Sequence, residues 1–197
     1  MAATGWAGEW QATASAGFGK YHYVSLQGPP GTGDVGIGAR YVLDAAIGRA
    51  LGDHLAVEGA WTFQDGDFEI RSGEVKTAFD AHAHAIHGDL YYYFRARQAR
   101  LRPFVEAGIG TKLYHGIEAV RPRPLAQFGA FAHAVDGRVL LIGGAGVELG
   151  LSSHWAVRAS IRDFSTPFPD SVIVPAAGVH TGGWLHDVLA TVGITFR

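Results

Sequence analysis

No cysteine occurs in the 197 residues. That excludes disulfides, thiol chemistry and Cys-based zinc or iron–sulfur sites, and it fits the periplasmic side of a cell. Charge is scarce too. Charged residues make up 17% of the chain, against the ~25% usual for soluble domains. The net charge of −2 offers no basic patch or stripe of the kind nucleic acid requires. No run of 18 apolar residues exists, so no transmembrane helix is encoded; the longest candidate, VLLIGGAGVELGL, is broken by Glu148 and by glycines. A basic start followed by an apolar stretch is also missing after Met1. An exported chain would therefore be a processed form carrying an added Met.

What the sequence has in quantity is glycine (28 residues), aromatics (12%) and alternation. Apolar and polar residues change places with a period of two, the pattern of a strand whose faces meet different surroundings. Eight such segments are predicted: Glu9–Tyr23, Val35–Leu51, Leu55–Gln64, Thr77–Arg95, Pro103–Gly116, Val139–Leu151, Trp155–Phe164 and Leu185–Arg197. In the fifth, Val105, Ala107, Ile109, Thr111 and Leu113 oppose Glu106, Gly108, Gly110 and Lys112. Short links (GDH, ARQARLR, SSH) alternate with long ones rich in Gly, Pro and Asp. An even strand count with short turns at one end and long loops at the other marks a bacterial transmembrane β-barrel. The expected fold is a single all-β domain over residues 1–197, an eight-stranded antiparallel up-and-down transmembrane barrel.

Orientation decides between two readings. Apolar faces turned to lipid give an outer-membrane barrel; apolar faces turned inward give a soluble lipocalin-like one. Aromatics near segment ends (Trp10, Trp61, Phe63, Tyr91, Tyr92, Tyr93, Phe94, Trp155, Trp184, Phe196) suggest interfacial girdles and favour the membrane. The lumen would then hold Asp44, Glu58, Glu106 and Glu148, with Asp80 or Asp187, against Arg40, Lys112, Arg158 and Arg162. Buried charges need partners, so a sealed ion network is expected. An open water path is the alternative, but porin-like channels need about sixteen strands.

The segment LRPFVEAGIGTKLY and the tail from RDFSTPFPDSVIVP to TVGITFR resemble recurring stretches of uncharacterised bacterial outer-membrane barrels. From about Glu9 onward the chain resembles the small eight-stranded OmpA-like barrel family. The resemblance implies a bacterial outer-membrane location, termini in the periplasm, and contact with outer-membrane lipid, lipopolysaccharide and the barrel insertion machinery. Members typically end on an aromatic that this machinery reads; here Phe196 is followed by Arg197. The resemblance is to the barrel alone, so the peptidoglycan-binding domain of larger two-domain relatives is not expected here.

Three local features bear on chemistry. In DAHAHAIHGD, Asp80, His82 and His84 fall on one face of a strand, a spacing that suits metal binding through imidazole; the bland reading places them in the charge network. Ala81, Ala83 and Ala85 suggest that the histidines point inward, whereas Leu90, Tyr92 and Phe94 suggest an outward set, so a bulge between them is expected. Ser152, Ser153 and His154, or His186 with Asp187, could serve a lipid A-modifying enzyme, although turn capping explains the first group equally well. Phe128, Phe131 and Phe168 lie in long apolar loops. They would either pack as a cap or meet a surface protein or neighbouring subunits. The role expected is structural or surface contact, without catalysis or cofactor. A narrow channel or small-ligand carrier is the runner-up.

Overall fold

The computed structural model describes residues 10–29, 31–37, 40–116, 128–181 and 183–197. Its strands, in chain order, are β1 (Trp10–Tyr21), β2 (Val24–Gly28), β3 (Gly31–Ile37), β4 (Tyr41–Ala50), β5 (Leu55–Asp65), β6 (Phe68–Ser72), β7 (Val75–Phe79) and β8 (Ala81–Tyr93). They continue as β9 (Leu101–Gly116), β10 (Gly129–Phe131), β11 (Val135–Gly150), β12 (Trp155–Pro167), β13 (Ile173–Pro175), β14 (His180–Thr181) and β15 (Trp184–Phe196).

Eight of them close into one antiparallel barrel in the order β1–β15–β12–β11–β9–β8–β5–β4. Closure runs through β1, where Ala14 lies opposite Ile194 of β15 on one side and Ala45 of β4 on the other. Tight turns join the strands at one end. Leu51 N donates to Leu55 O at 2.8 Å, and Leu151 N to Trp155 O at 2.9 Å. Gly52 sits in the first of these turns at φ +145°, a backbone that L side chains rarely adopt.

The pleat settles the orientation. Ile47, Ile109, Ile161, Val192 and Ile194 stand exposed on the outer wall, while Glu106 and Arg158 are buried inside. An exposed apolar belt around a charged interior is the inverse of a soluble barrel and the arrangement that hydrocarbon requires. Trp10, Tyr92, Phe94, Trp155 and Phe196 ring the short-turn end of this belt, and Tyr41, Trp61 and Trp184 its other end. Tyr91 and Tyr93 depart from the girdle expectation. They share parity with Asp89, point inward, and are almost wholly buried.

At the long-loop end the chain builds a second layer. β14–β2–β3–β6–β7 form a five-stranded sheet, and β10 pairs with β13. Val24, Leu26, Val35, Ile37, Phe68, Ile70, Phe79, Phe128, Phe168, Val172, Ile173 and Val179 pack beneath it on Tyr114, Leu185, Ala81 and Ala83 of the wall. Burial of each large aliphatic or aromatic side chain contributes about 1.5–3 kcal/mol, so this cap is a hydrophobic core in its own right. The predicted segments Val35–Leu51 and Thr77–Arg95 are each cut in two by it. Their first parts become β3 and β7 of the cap, and only β4 and β8 enter the wall.

Candidate functional site

The candidate site is the filled lumen and the cap that closes it. From the short-turn end inward, Arg102 Nη1 donates to Glu148 Oε1 at 3.1 Å, and Arg197 reaches the same oxygen. Arg158 bridges two acids, with Nη1 on Glu58 Oε2 at 2.8 Å and Nη2 on Glu148 Oε2 at 3.2 Å. Gln11 donates to the other Glu58 oxygen at 2.5 Å. Arg102 lies 3.8 Å above the Tyr93 ring and Arg158 4.9 Å from that of Tyr91. Hydrogen bonds to ionised groups are the stronger kind, and the Arg102 and Arg158 guanidinium groups also lie over aromatic rings.

One layer further, Arg162 pairs with Asp44 Oδ1 at 3.2 Å. Ser15 and Thr62 donate to the two Asp44 oxygens at 3.1 and 2.5 Å. His87 sits between Thr62 Oγ1 (3.0 Å) and Asp89 Oδ2 (2.8 Å). Glu106 adjoins this layer. A methyl at Gly144 would come within 2.6 Å of Glu106 Oε1 and 2.9 Å of Arg162 Cγ, so glycine there makes room for the pair. Above this, Lys112 and Asp187 form a fully buried ion pair. Val42, Ala85, Leu140, Ile142, Phe164 and Leu189 pack as an apolar band inside the barrel. Between Thr13, Asp44, Tyr91 and Arg162 remains a void of about 10 Å³, at the threshold for holding one water.

Of the lumen residues expected from sequence, Asp44, Glu58, Glu106, Lys112, Glu148, Arg158 and Arg162 lie inside. Asp187 takes the place left open between it and Asp80. Arg40 does not belong there. It precedes the first residue of β4, is exposed, and pairs with Asp65 (3.3 Å) and Asp67 (3.0 Å) at the outer rim. Arg102, His87, Asp89 and the inward tyrosines were missed, although the parity of Glu106 extends to Arg102 and that of Tyr91 to His87 and Asp89.

The other expectations divide. β8 alternates without a bulge, with Ala81, Ala83 and Ala85 inward and His82 and His84 outward in phase with Leu90 and Tyr92. Asp80 lies in the break before β8 and is exposed; His115 of β9 joins the two histidines instead. Phe128 and Phe168 are buried in the cap core rather than presented for contact; Phe131 pairs through its backbone with Ile173. His186 and Asp187 separate across the wall, outward and inward. His186 Nδ1 instead meets both Asp163 Oδ2 (2.8 Å) and Ser165 Oγ (3.0 Å). A catalytic triad needs the acid and the hydroxyl on different ring nitrogens. Ser153 Oγ reaches His154 Nδ1 at 2.9 Å in an exposed turn, where Ser152 Oγ accepts from the backbone N–H groups of His154 and Trp155. That is turn capping.

Within the cap, Glu69 gathers three donors. Tyr23 OH lies at 2.5 Å and Arg71 Nη2 at 2.6 Å, and Lys76 completes the set. Burial would raise the Glu69 pKa, but the bonds from Lys76, Tyr23 and Arg71 bring it below the ordinary carboxylate value. Burial, followed by the Glu69 carboxylate, pushes the Tyr23 phenol up to about 12.

The sequence model for the outer membrane protein beta-barrel domain matches residues 1–196. Among curated proteins none matches significantly. Solved structures share the architecture. Neisserial surface protein A superposes with a TM-score of 0.58 at 11% identity, over 95% of this chain and 96% of that one. The outer membrane protein OprG from Pseudomonas aeruginosa gives 0.60 at 12%, over 96% of each. The outer membrane protein AlkL, solved in lipid bilayers, gives 0.58 at 16%, over 100% and 93%. At these identities the likeness is one of fold.

Proposed function

The chain belongs to the outer membrane protein β-barrel domain family, and from that premise we propose that it is a sealed anchor presenting a rigid outer platform, rather than a pore. It resides in the bacterial outer membrane. The observation that carries the reading is double closure. An ion-pair plug from Arg102 to Asp187 fills the membrane-level lumen, and an apolar core lies across the mouth. Among the described residues, the void beside Asp44 and Arg162 within this plug has the size of one water, which supports the sealed reading. The lipid-facing belt holds the barrel among outer-membrane lipid and lipopolysaccharide, delivered there by the barrel insertion machinery. The solvent side of the β2–β3 and β6–β7 hairpins is the surface offered to a neighbouring surface protein or subunit. No arrangement described above supplies a nucleophile, base and acid in catalytic order, and the reading assigns the chain no reaction.

Planar-bilayer recording tests it. Purified monomer should give no stable conductance, and vesicles containing it should retain small solutes. Large, stable steps from monomer would overturn the sealed reading. Selective uptake of one small solute would favour a narrow channel or carrier.

A further inference from the structure

We infer that His82, His84 and His115 form a binding site for a first-row divalent metal ion of the zinc, nickel or copper class on the outer rim of the barrel. Three observations converge on it. The first is placement. His82 and His115 are direct cross-strand partners in the β8–β9 register, and His84 lies two residues along from His82, so all three side chains leave the same face. The second is spacing. One ligand nitrogen from each ring can be chosen so that all three lie within 4.8 Å of one another. A tetrahedral ion with bonds of about 2.0–2.1 Å to nitrogen holds its ligands roughly 3.4 Å apart. The widest pair therefore needs to close by about 1.4 Å, a movement within reach of side-chain rotation alone, because the imidazoles are only partly buried.

The third is how the rings are held. His82 stacks on His115 at 4.9 Å and meets His84 edge-on at 5.2 Å. Trp61 stacks against His84 at 5.8 Å, and Phe63 stands 5.2 Å from His84 and 5.9 Å from His82. Aromatic neighbours narrow the rotamers open to each ligand, which lowers the ordering cost of binding. Asp65, opposite His82 on β5, is engaged by Arg40 at 3.3 Å. It stands beside the site as a carboxylate able to orient a ligand imidazole or a bound water.

The chemistry of the donors selects the ion. Three neutral imidazoles with a fourth position open to water suit zinc, nickel and copper. Calcium and magnesium, the hard cations, take oxygen ligands and find none in this set. Asp80 is not a member.

The test uses the full chain without an affinity tag, folded in phospholipid nanodiscs. Zn²⁺ binding is followed by calorimetry and Co²⁺ binding by its visible absorption. One ion per chain is expected for each, with Co²⁺ giving a tetrahedral spectrum. His82→Asn, His84→Asn and His115→Asn should each weaken binding by more than the roughly 10–100-fold that losing a hydrogen-bond partner of a metal ligand costs. Asp80→Asn and His154→Asn should leave it unchanged, and excess Mg²⁺ should not displace the ion. Heat-modifiable gel migration shows that each variant is folded. Absence of binding by the folded wild type, binding that survives all three ligand substitutions, or displacement by Mg²⁺ would each overturn the site.

Discussion

Lys112→Met is the sharpest perturbation of the lumen. Lys112 and Asp187 are both fully buried and paired with one another. In the barrel register Lys112 lies beside Ala85, and Asp187 beside Phe164. Those two neighbours belong to the apolar band, so water has no ready access to an abandoned charge. Removing one partner of a buried pair leaves the other uncompensated and costs about 3–5 kcal/mol, or roughly two to four orders of magnitude in the folding equilibrium. Asp187→Leu alone should cost a similar amount. The double variant Lys112→Met/Asp187→Leu replaces the pair by apolar volume next to Phe164 and Leu189, and should return to within ~1 kcal/mol of wild type, since such replacements are often neutral or stabilising. The assay is reversible urea unfolding in lipid vesicles, followed by tryptophan fluorescence and read as a double-mutant cycle. Single variants costing less than ~1 kcal/mol, or a double variant costing the sum of the singles, would refute the argument that this pair is a desolvated, mutually dependent unit.

Val192 stands outward near mid-height, between Ala16 and Ala159. Val192→Arg should destabilise the barrel by about 2–4 kcal/mol in the same urea assay, the cost of a cation at the bilayer midplane. The Glu69 carboxylate contributes stability to the cap that is complete above its ordinary value of 4.5 and lost as pH falls through the lowered native value. Limited proteolysis of the β6–β7 hairpin should therefore accelerate in acid while the wall stays protected, and Glu69→Gln should flatten that dependence.

The wall was legible because its signal is a strict period of two with lipid on one side. Val105 against Glu106 and Val157 against Arg158 announce their faces without any tertiary information. The cap was not, because its strands continue the same alternation. Phe79 and Ala81 are both buried and in phase across the break at Asp80, so nothing in the pattern of Thr77–Arg95 says that pairing partners change there. Arg40 failed for the same reason. Its parity agrees with Asp44, but the wall begins one residue later, at Tyr41. Tyr91 and Tyr93 failed for a different one. Treating aromatics near a strand end as girdle overrode parity, which would have sent both inward beside Asp89. The histidine set was half visible. His82 and His84 are neighbours in sequence, whereas His115 reaches them only through the β8–β9 register.

A lumen filled with paired charge is not the cheapest filling, since apolar side chains of matching volume could serve as well for stability. Its value lies in the contrast between the two faces of every strand. A slip of β9 by one residue would turn Arg102, Glu106 and Lys112 toward hydrocarbon and bring Val105 and Ile109 into the ion network. Each misplaced cation near the midplane costs about 2–4 kcal/mol, and each carboxylate left inside loses its partner. With an apolar interior the same slip would exchange one greasy surface for another at little cost, because register is weakly specified where the two faces are alike. The chain thus uses ion pairs where strands must choose a side, within the membrane. Aliphatic and aromatic packing takes over in the cap, where water on the outer surface already makes that choice.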